Sequence, residues 1–148
     1  MKMRSYRRSS AGFTLIEIMV VVVILGILAA VVVPRIMDRP DDARIARAKQ
    51  DIRAIESALN LYKLDNFYYP TTQQGIEALV SPPSGDPPAK NWKPGGYIAQ
   101  MPKDPWGNPY QFLSPGTKGQ VDIFSLGADN KPGGEGAAGD IGNWDLGG

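Results

Sequence analysis

Residues 12–33 read GFTLIEIMVVVVILGILAAVVV, and the reading of this stretch decides the fold. From Phe13 to Val33 it holds 21 residues, interrupted by Thr14 and one carboxylate, Glu17. About 20 helical residues cross a hydrocarbon core, so the run is long enough to span a membrane. The preceding residues 1–12, MKMRSYRRSSAG, carry Lys2, Arg4, Arg7 and Arg8 and no acid. A basic flank stays cytoplasmic, so insertion predicts a cytoplasmic N-terminus and the remaining chain across the membrane. A cleaved secretory signal, with Ala29-Ala30 at its cleavage site, is the alternative. Such signals have an apolar core of about 7–15 residues, shorter than this one. Here the apolar run also passes without a break into an amphipathic pattern.

The rest of the 148-residue chain is a different material: strong hydrophobicity lies before residue 34, and most of the 17 Gly and 13 Pro lie after residue 69. A formal charge of +1, with its basic cluster confined to the N-terminus, leaves nucleic acid without a binding face. With no Cys and no His, the chain lacks a thiolate nucleophile, the usual neutral-pH acid/base group and a preferred zinc ligand. An isolated carboxylate in lipid is costly and needs a cation or a protein interior, so Glu17 calls for a partner.

Gly12-Phe13-Thr14-Leu15-Ile16-Glu17, after a basic leader and before an apolar helix, resembles the prepilin cleavage and methylation signal shared by type IV pilins and type II secretion pseudopilins. The resemblance implies that prepilin peptidase cuts between Gly12 and Phe13 and that the new Phe13 amine is N-methylated. It also implies that Phe13 and Glu17 guide subunits into a filament, the Phe13 amine pairing with Glu17 of a neighbouring chain. Removing the four leader cations leaves 12 basic against 15 acidic side chains, a balance of −3.

Beyond the span, Pro34 either ends the helix or kinks it, and Pro40 with Asp41 and Asp42 marks a second bend or a fresh start. The later pattern favours continuation. Ile45, Ala48, Ile52, Ile55, Leu59 and Tyr62 recur at three- or four-residue intervals, with Arg47, Lys49, Asp51, Arg53 and Glu56 on other faces. A helix from Phe13 to about Lys63 would be about 75 Å long. Gly26 and its neighbouring alanines suit close helix packing. Phe67-Tyr68-Tyr69 before Pro70 reads as an aromatic turn used for core packing, and Thr71–Val80 as a short second helix. Residues 82–96 are too rich in Pro and Gly for a regular element. Extended pieces are expected at Tyr110–Leu113 and Val121–Ser125, joined by a turn at Gly116–Gly119.

The tail, LGADNKPGGEGAAGDIGNWDLGG from Leu126, combines glycines with Asp129, Glu135, Asp140 and Asp145. Hard carboxylate oxygens supplemented by backbone carbonyls suit Ca2+, although the spacing is not that of an EF-hand. From the residues alone, a solvated acidic loop is the competing reading. The DPWGNPY segment (104–110) and the LGAD, GGEG and DIGNW pieces are similar to the major pseudopilin family of type II secretion, the general secretion pathway protein G family. Ordinary type IV pilins often carry a C-terminal disulfide loop, impossible here. This resemblance implies a calcium loop with Asp129 and Asp140 as side-chain ligands and the carbonyls of Leu126, Lys131 and Gly134 completing the set. Glu135 is a substitute ligand, and Trp144 an anchor for the tail.

The expected architecture is α+β, a pilin-like long N-terminal helix packed on a small antiparallel sheet with a C-terminal calcium-binding loop. Its divisions are a leader (1–12), a transmembrane and assembly helix (13–34), an amphipathic continuation (35–65) and a periplasmic domain (66–148). The resemblance implies the major subunit of a periplasmic pseudopilus anchored in the inner membrane. Its partners would be further copies of itself, minor pseudopilins, the inner-membrane secretion platform and prepilin peptidase, with secretin and exoprotein contacts and no nucleic acid. A type IV pilus subunit is the nearest alternative. A membrane-anchored hydrolase using Asp104 or Asp122 as general acid lacks a paired constellation.

Overall fold

The computed structural model describes residues 12–146, and the side chains of residues 32–39 lie outside that description. Apart from Gly12, the leader expected at 1–12 therefore lies outside the described residues. One helix, α1 (Leu15–Asn66), accounts for 52 residues, and its helical backbone includes both Pro34 and Pro40. The chain divides into two compact units between Arg39 and Pro40.

In the first unit, α1 starts with a reciprocal cap. The Glu17 N–H donates to Thr14 Oγ1 at 3.3 Å, and the Thr14 N–H donates to Glu17 Oε2 at 2.8 Å. Two amides that a helix start leaves unpaired are thus satisfied by the Thr-x-x-Glu spacing. The large apolar side chains from Phe13 to Val31 are all exposed, from 85% at Phe13 to 50% at Ile24. Among the described residues no helix is long and apolar enough to cross a membrane. The expected span ends at Pro34, and the side chains of Val32, Val33 and Pro34 are not among those described.

In the second unit the amphipathic stripe is buried as its periodicity predicts. Ala48, Ile52, Ile55, Leu59 and Tyr62 are buried, joined by Ala58, while Ile45 packs partly against them. Ile52, Ile55 and Leu59, at about 1.5–3 kcal/mol for each fully buried large aliphatic side chain, together with Tyr62 make up most of the helix's share of the core. The opposing share comes from Ile76, Leu79, Tyr110, Val121, Ile123 and Ile141.

The sheet has three antiparallel strands in the order β1 (Gln111–Leu113), β2 (Asp122–Ser125), β3 (Ile141–Gly142). Phe112 pairs with Ile123, and Ser125 with Ile141. Strands this short do not stand alone in water, so the sheet depends on the helix it covers. Polar pins fix the two together. The Tyr110 hydroxyl donates to Asp51 at 2.9 Å, Asn143 Nδ2 to Glu56 at 3.2 Å, and Lys63 Nζ to Gln120 at 2.9 Å. Burial, and then the bond to Asp51, pushes the Tyr110 hydroxyl's pKa up.

Two local expectations differ from the structure. Instead of an α-helix over Thr71–Val80 there is a single 3₁₀ turn, Ile76–Leu79, because Gly75 at φ 69° breaks the helical path just before it. Ile76 and Leu79 are buried all the same. Among the three aromatics after α1, Tyr68 and Tyr69 pack on the core, but Phe67 is 81% exposed. Its backbone turns left-handed at φ 71° to end the helix, with its N–H on the Lys63 carbonyl at 2.7 Å.

Candidate calcium loop and assembly helix

The chain leaves β2 at Ser125 and returns into β3 at Ile141, and the residues between fold back on themselves. The Ala128 N–H donates to the Ala137 carbonyl at 2.8 Å, and the Gly133 N–H to Asp140 Oδ2 at 3.0 Å. Asp129 and Asp140 therefore belong to two arms that the backbone holds against each other. Asp129 Oδ1 accepts the Lys131 N–H at 3.1 Å, shaping its own turn. Gly127 permits the close approach: at φ 70°, a Cβ there would lie 2.7 Å from the Gly139 carbonyl oxygen and 2.8 Å from that of Ala137. At Gly134, φ 90°, an added Cβ would likewise clash with the Ala138 carbonyl.

Asp140 Oδ1 is buried and has no hydrogen-bond partner among the described residues. A buried unpaired carboxylate oxygen costs at least about 1–3 kcal/mol, so such an atom is where a cation is most favourable. The carbonyls of Leu126, Lys131 and Gly134 likewise accept no internal hydrogen bond among the described residues. Hard, uncommitted oxygens of this kind fit Ca2+. Among the described residues no three of His, Cys, Asp or Glu gather into one metal-holding group, so Glu135 does not join Asp129 and Asp140 as a third carboxylate. Trp144 packs on Phe124 with ring centroids 5.6 Å apart and lies under Lys118 Nζ at 4.0 Å, holding the tail to β2.

The two carboxylates considered for acid catalysis are committed elsewhere. Asp122 Oδ2 accepts the Thr117 N–H at 2.6 Å and the Thr117 hydroxyl at 2.8 Å, and Oδ1 accepts the Gly119 N–H at 3.0 Å. Burial raises its pKa, but these bonds and one from the Lys118 N–H together outweigh burial and hold it below the ordinary value. Asp122 thus organises the Gly116–Gly119 turn as an anion. Asp104 accepts the Trp106 and Asn108 amides and the Ser125 hydroxyl. Sequence reasoning missed this link between the DPWGN turn and the root of the acidic loop. Its only signal was the Asp-Pro-x-Gly turn chemistry, which says nothing of a contact 21 residues away.

Comparison with known proteins bears on the family and the fold. A family model described as type II secretion system (T2SS), protein G matches residues 35–144, and one described as prokaryotic N-terminal methylation motif matches residues 7–33. The chain belongs to the type II secretion system protein G family. The type II secretion system core protein G of Pseudomonas aeruginosa is 66% identical over 139 residues, covering 94% of this chain and 98% of that protein. Its counterpart in Vibrio cholerae is 58% identical over 139 residues, 94% of each. The crystal structure of the major pseudopilin from the type 2 secretion system of enterohaemorrhagic Escherichia coli superposes with a TM-score of 0.69 at 48% identity. It covers 78% of this chain and 98% of that one. Membership of the protein G family favours the pseudopilin reading over the type IV pilus alternative and accounts for the helix-plus-three-strand fold.

Proposed function

We propose that this chain is the major structural subunit of a type II secretion pseudopilus, polymerising in the periplasm to drive folded proteins through the outer membrane. The observation that carries the reading is a protein G fold joined to a helix whose apolar side chains are exposed from Phe13 to Val31. Such a surface is costly in water and is relieved by lipid before assembly and by the helices of neighbouring copies after it.

In this reading residues 1–12 are a leader and 13–34 the membrane and assembly helix. Residues 35–65 continue that helix, and 66–148 form the periplasmic domain. Prepilin peptidase cuts after Gly12, and the Phe13 amine is methylated. Glu17, capped onto Thr14, presents its carboxylate to the Phe13 amine of an adjacent subunit. Asp129 and Asp140, with the carbonyls of Leu126, Lys131 and Gly134, hold Ca2+. A dication there neutralises two carboxylates on opposed arms and fixes the loop as an assembly surface, a structural and not a catalytic role. The subunit is anchored in the inner membrane with its N-terminus cytoplasmic, and meets minor pseudopilins, the secretion platform and, at the outer membrane, the secretin and exoproteins.

The test is cross-linking and imaging of filaments in cells with the native secretion apparatus, with and without calcium chelation, alongside Glu17→Ala, Asp129→Ala and Asp140→Ala. Short periplasmic filaments and cargo export that fail together in the variants and under chelation are expected. Long surface fibres that persist without calcium, with export intact, would overturn the reading. Unchanged calcium affinity in both aspartate variants would remove the ligand assignment alone.

A further inference from the structure

We propose that Asp104 and Ser125, neither of them a cation ligand, form a positioning pair that presets the calcium loop before the ion arrives. The proposal rests on the calcium reading above. Both residues are buried, Asp104 at 4% exposure and Ser125 at 0%. Asp104 is immobilised by its own turn: its Oδ1 accepts the Asn108 N–H at 2.7 Å and the Trp106 N–H at 3.1 Å. Its backbone N–H donates to the Asn108 carbonyl at 2.8 Å, and its carbonyl accepts the Gly107 N–H at 2.9 Å. Only Oδ2 is left to act outside the turn, and it accepts the Ser125 hydroxyl at 2.6 Å.

That bond fixes the Ser125 hydroxyl proton, which turns an Oγ lone pair to the Gly127 N–H at 3.1 Å. Gly127 is the residue whose left-handed backbone lies against the carbonyls of Ala137 and Gly139. The relay therefore pins the chain on both sides of Leu126, whose carbonyl belongs to the ligand set. It also sets the start of the arm bearing Asp129 against the arm that leads into Asp140. Ordering a loop backbone opposes binding, and one residue fixed in advance is equivalent to about tenfold in affinity. A carboxylate whose other oxygen is already held by two amides supplies a rigid acceptor for this purpose, since charge-assisted bonds are the shorter and stronger class.

The experiment uses the full chain in detergent, with Ca2+ alone as the probe. Calorimetric titration of Ser125→Ala and Asp104→Asn should each show about tenfold weaker binding, and the double variant should be no worse than either single one, because the two residues act as one unit. Ser125→Thr, which keeps the hydroxyl, should recover most of the affinity. In the calcium-free parent, hydrogen exchange should find the Gly127 amide protected, a readout that does not depend on any variant folding. Lowered melting temperature with unchanged calcium affinity would mean a merely structural pair and overturn the proposal. A Gly127 amide exchanging at the rate of an open loop would overturn it as well. No calcium binding by the parent at millimolar ion would defeat the calcium reading itself, an outcome distinct from a parent that binds and variants that bind equally well.

Discussion

Replacing Tyr62 with Phe should stabilise the protein. Tyr62 is fully buried on the inner face of α1, packed 5.3 Å from the Tyr97 ring, and its hydroxyl has no hydrogen-bond partner among the described residues. A buried hydroxyl left unpaired costs about 1–3 kcal/mol, and deleting it leaves a gap too small to cost as much. The net gain at neutral pH should be about 1 kcal/mol, roughly 5 °C in melting temperature for a unit of this size. The same burial, followed by the neighbouring Tyr68 and Tyr97, pushes the Tyr62 hydroxyl up to about 12. Because the folded value lies above that of the unfolded chain, the parent's stability is unaffected by this group's titration below about pH 10 and falls as pH rises towards 12. At about 1.4 kcal/mol per pH unit, the loss is on the order of 2–3 kcal/mol. Urea unfolding of parent and Tyr62→Phe from pH 7 to 12 should give a constant offset up to pH 10 and a widening one beyond it. A variant less stable than the parent at pH 7, or an offset independent of pH to 12, would refute the reasoning.

Other residues carry comparable expectations. Asp122→Ala should cost about 2–4 kcal/mol at pH 7, since several charge-assisted bonds close the Gly116–Gly119 turn. Its folded pKa is depressed, so that stability is present above the usual carboxylate range and disappears as pH falls through the folded value. Denaturant curves at pH 7 and pH 2.5 should show the penalty shrinking in acid. Gly127→Ala should cost about 1–2 kcal/mol from the left-handed backbone alone, and more from its contacts with the Gly139 and Ala137 carbonyls. A melting temperature within 2 °C of the parent, with unchanged calcium affinity, would contradict it, at roughly 0.5 kcal/mol of resolution. Phe67→Gly should raise stability by up to about 1 kcal/mol, because glycine relieves the φ 71° backbone and the exposed ring contributes little packing. A loss on thermal melting would show that the ring is packed.

The buried stripe of α1 was legible because helical period and apolar spacing are both local: Ile52, Ile55 and Leu59 face one way whatever lies opposite them. β1 and β2 were legible from alternation between turn signals. β3 was not, since Ile141-Gly142 offers one β-branched residue between an Asp and an Asn and becomes a strand only by pairing with β2. The Thr71–Val80 pattern failed as an α-helix because spacing is blind to the backbone angle that Gly75 adopts.

The sequence by itself determined the apolar stretch, the stripe that must be covered, and which side chains in the tail are hard oxygen donors. Each of these follows from residue type and spacing within a few turns of chain. Only the tertiary structure decided which of those oxygens are left without partners, and that Asp104 reaches Ser125 across 21 residues to hold Gly127 in place. Hydrogen-bond satisfaction is a property of what packing brings together, and burial makes the unpaired Asp140 oxygen costly.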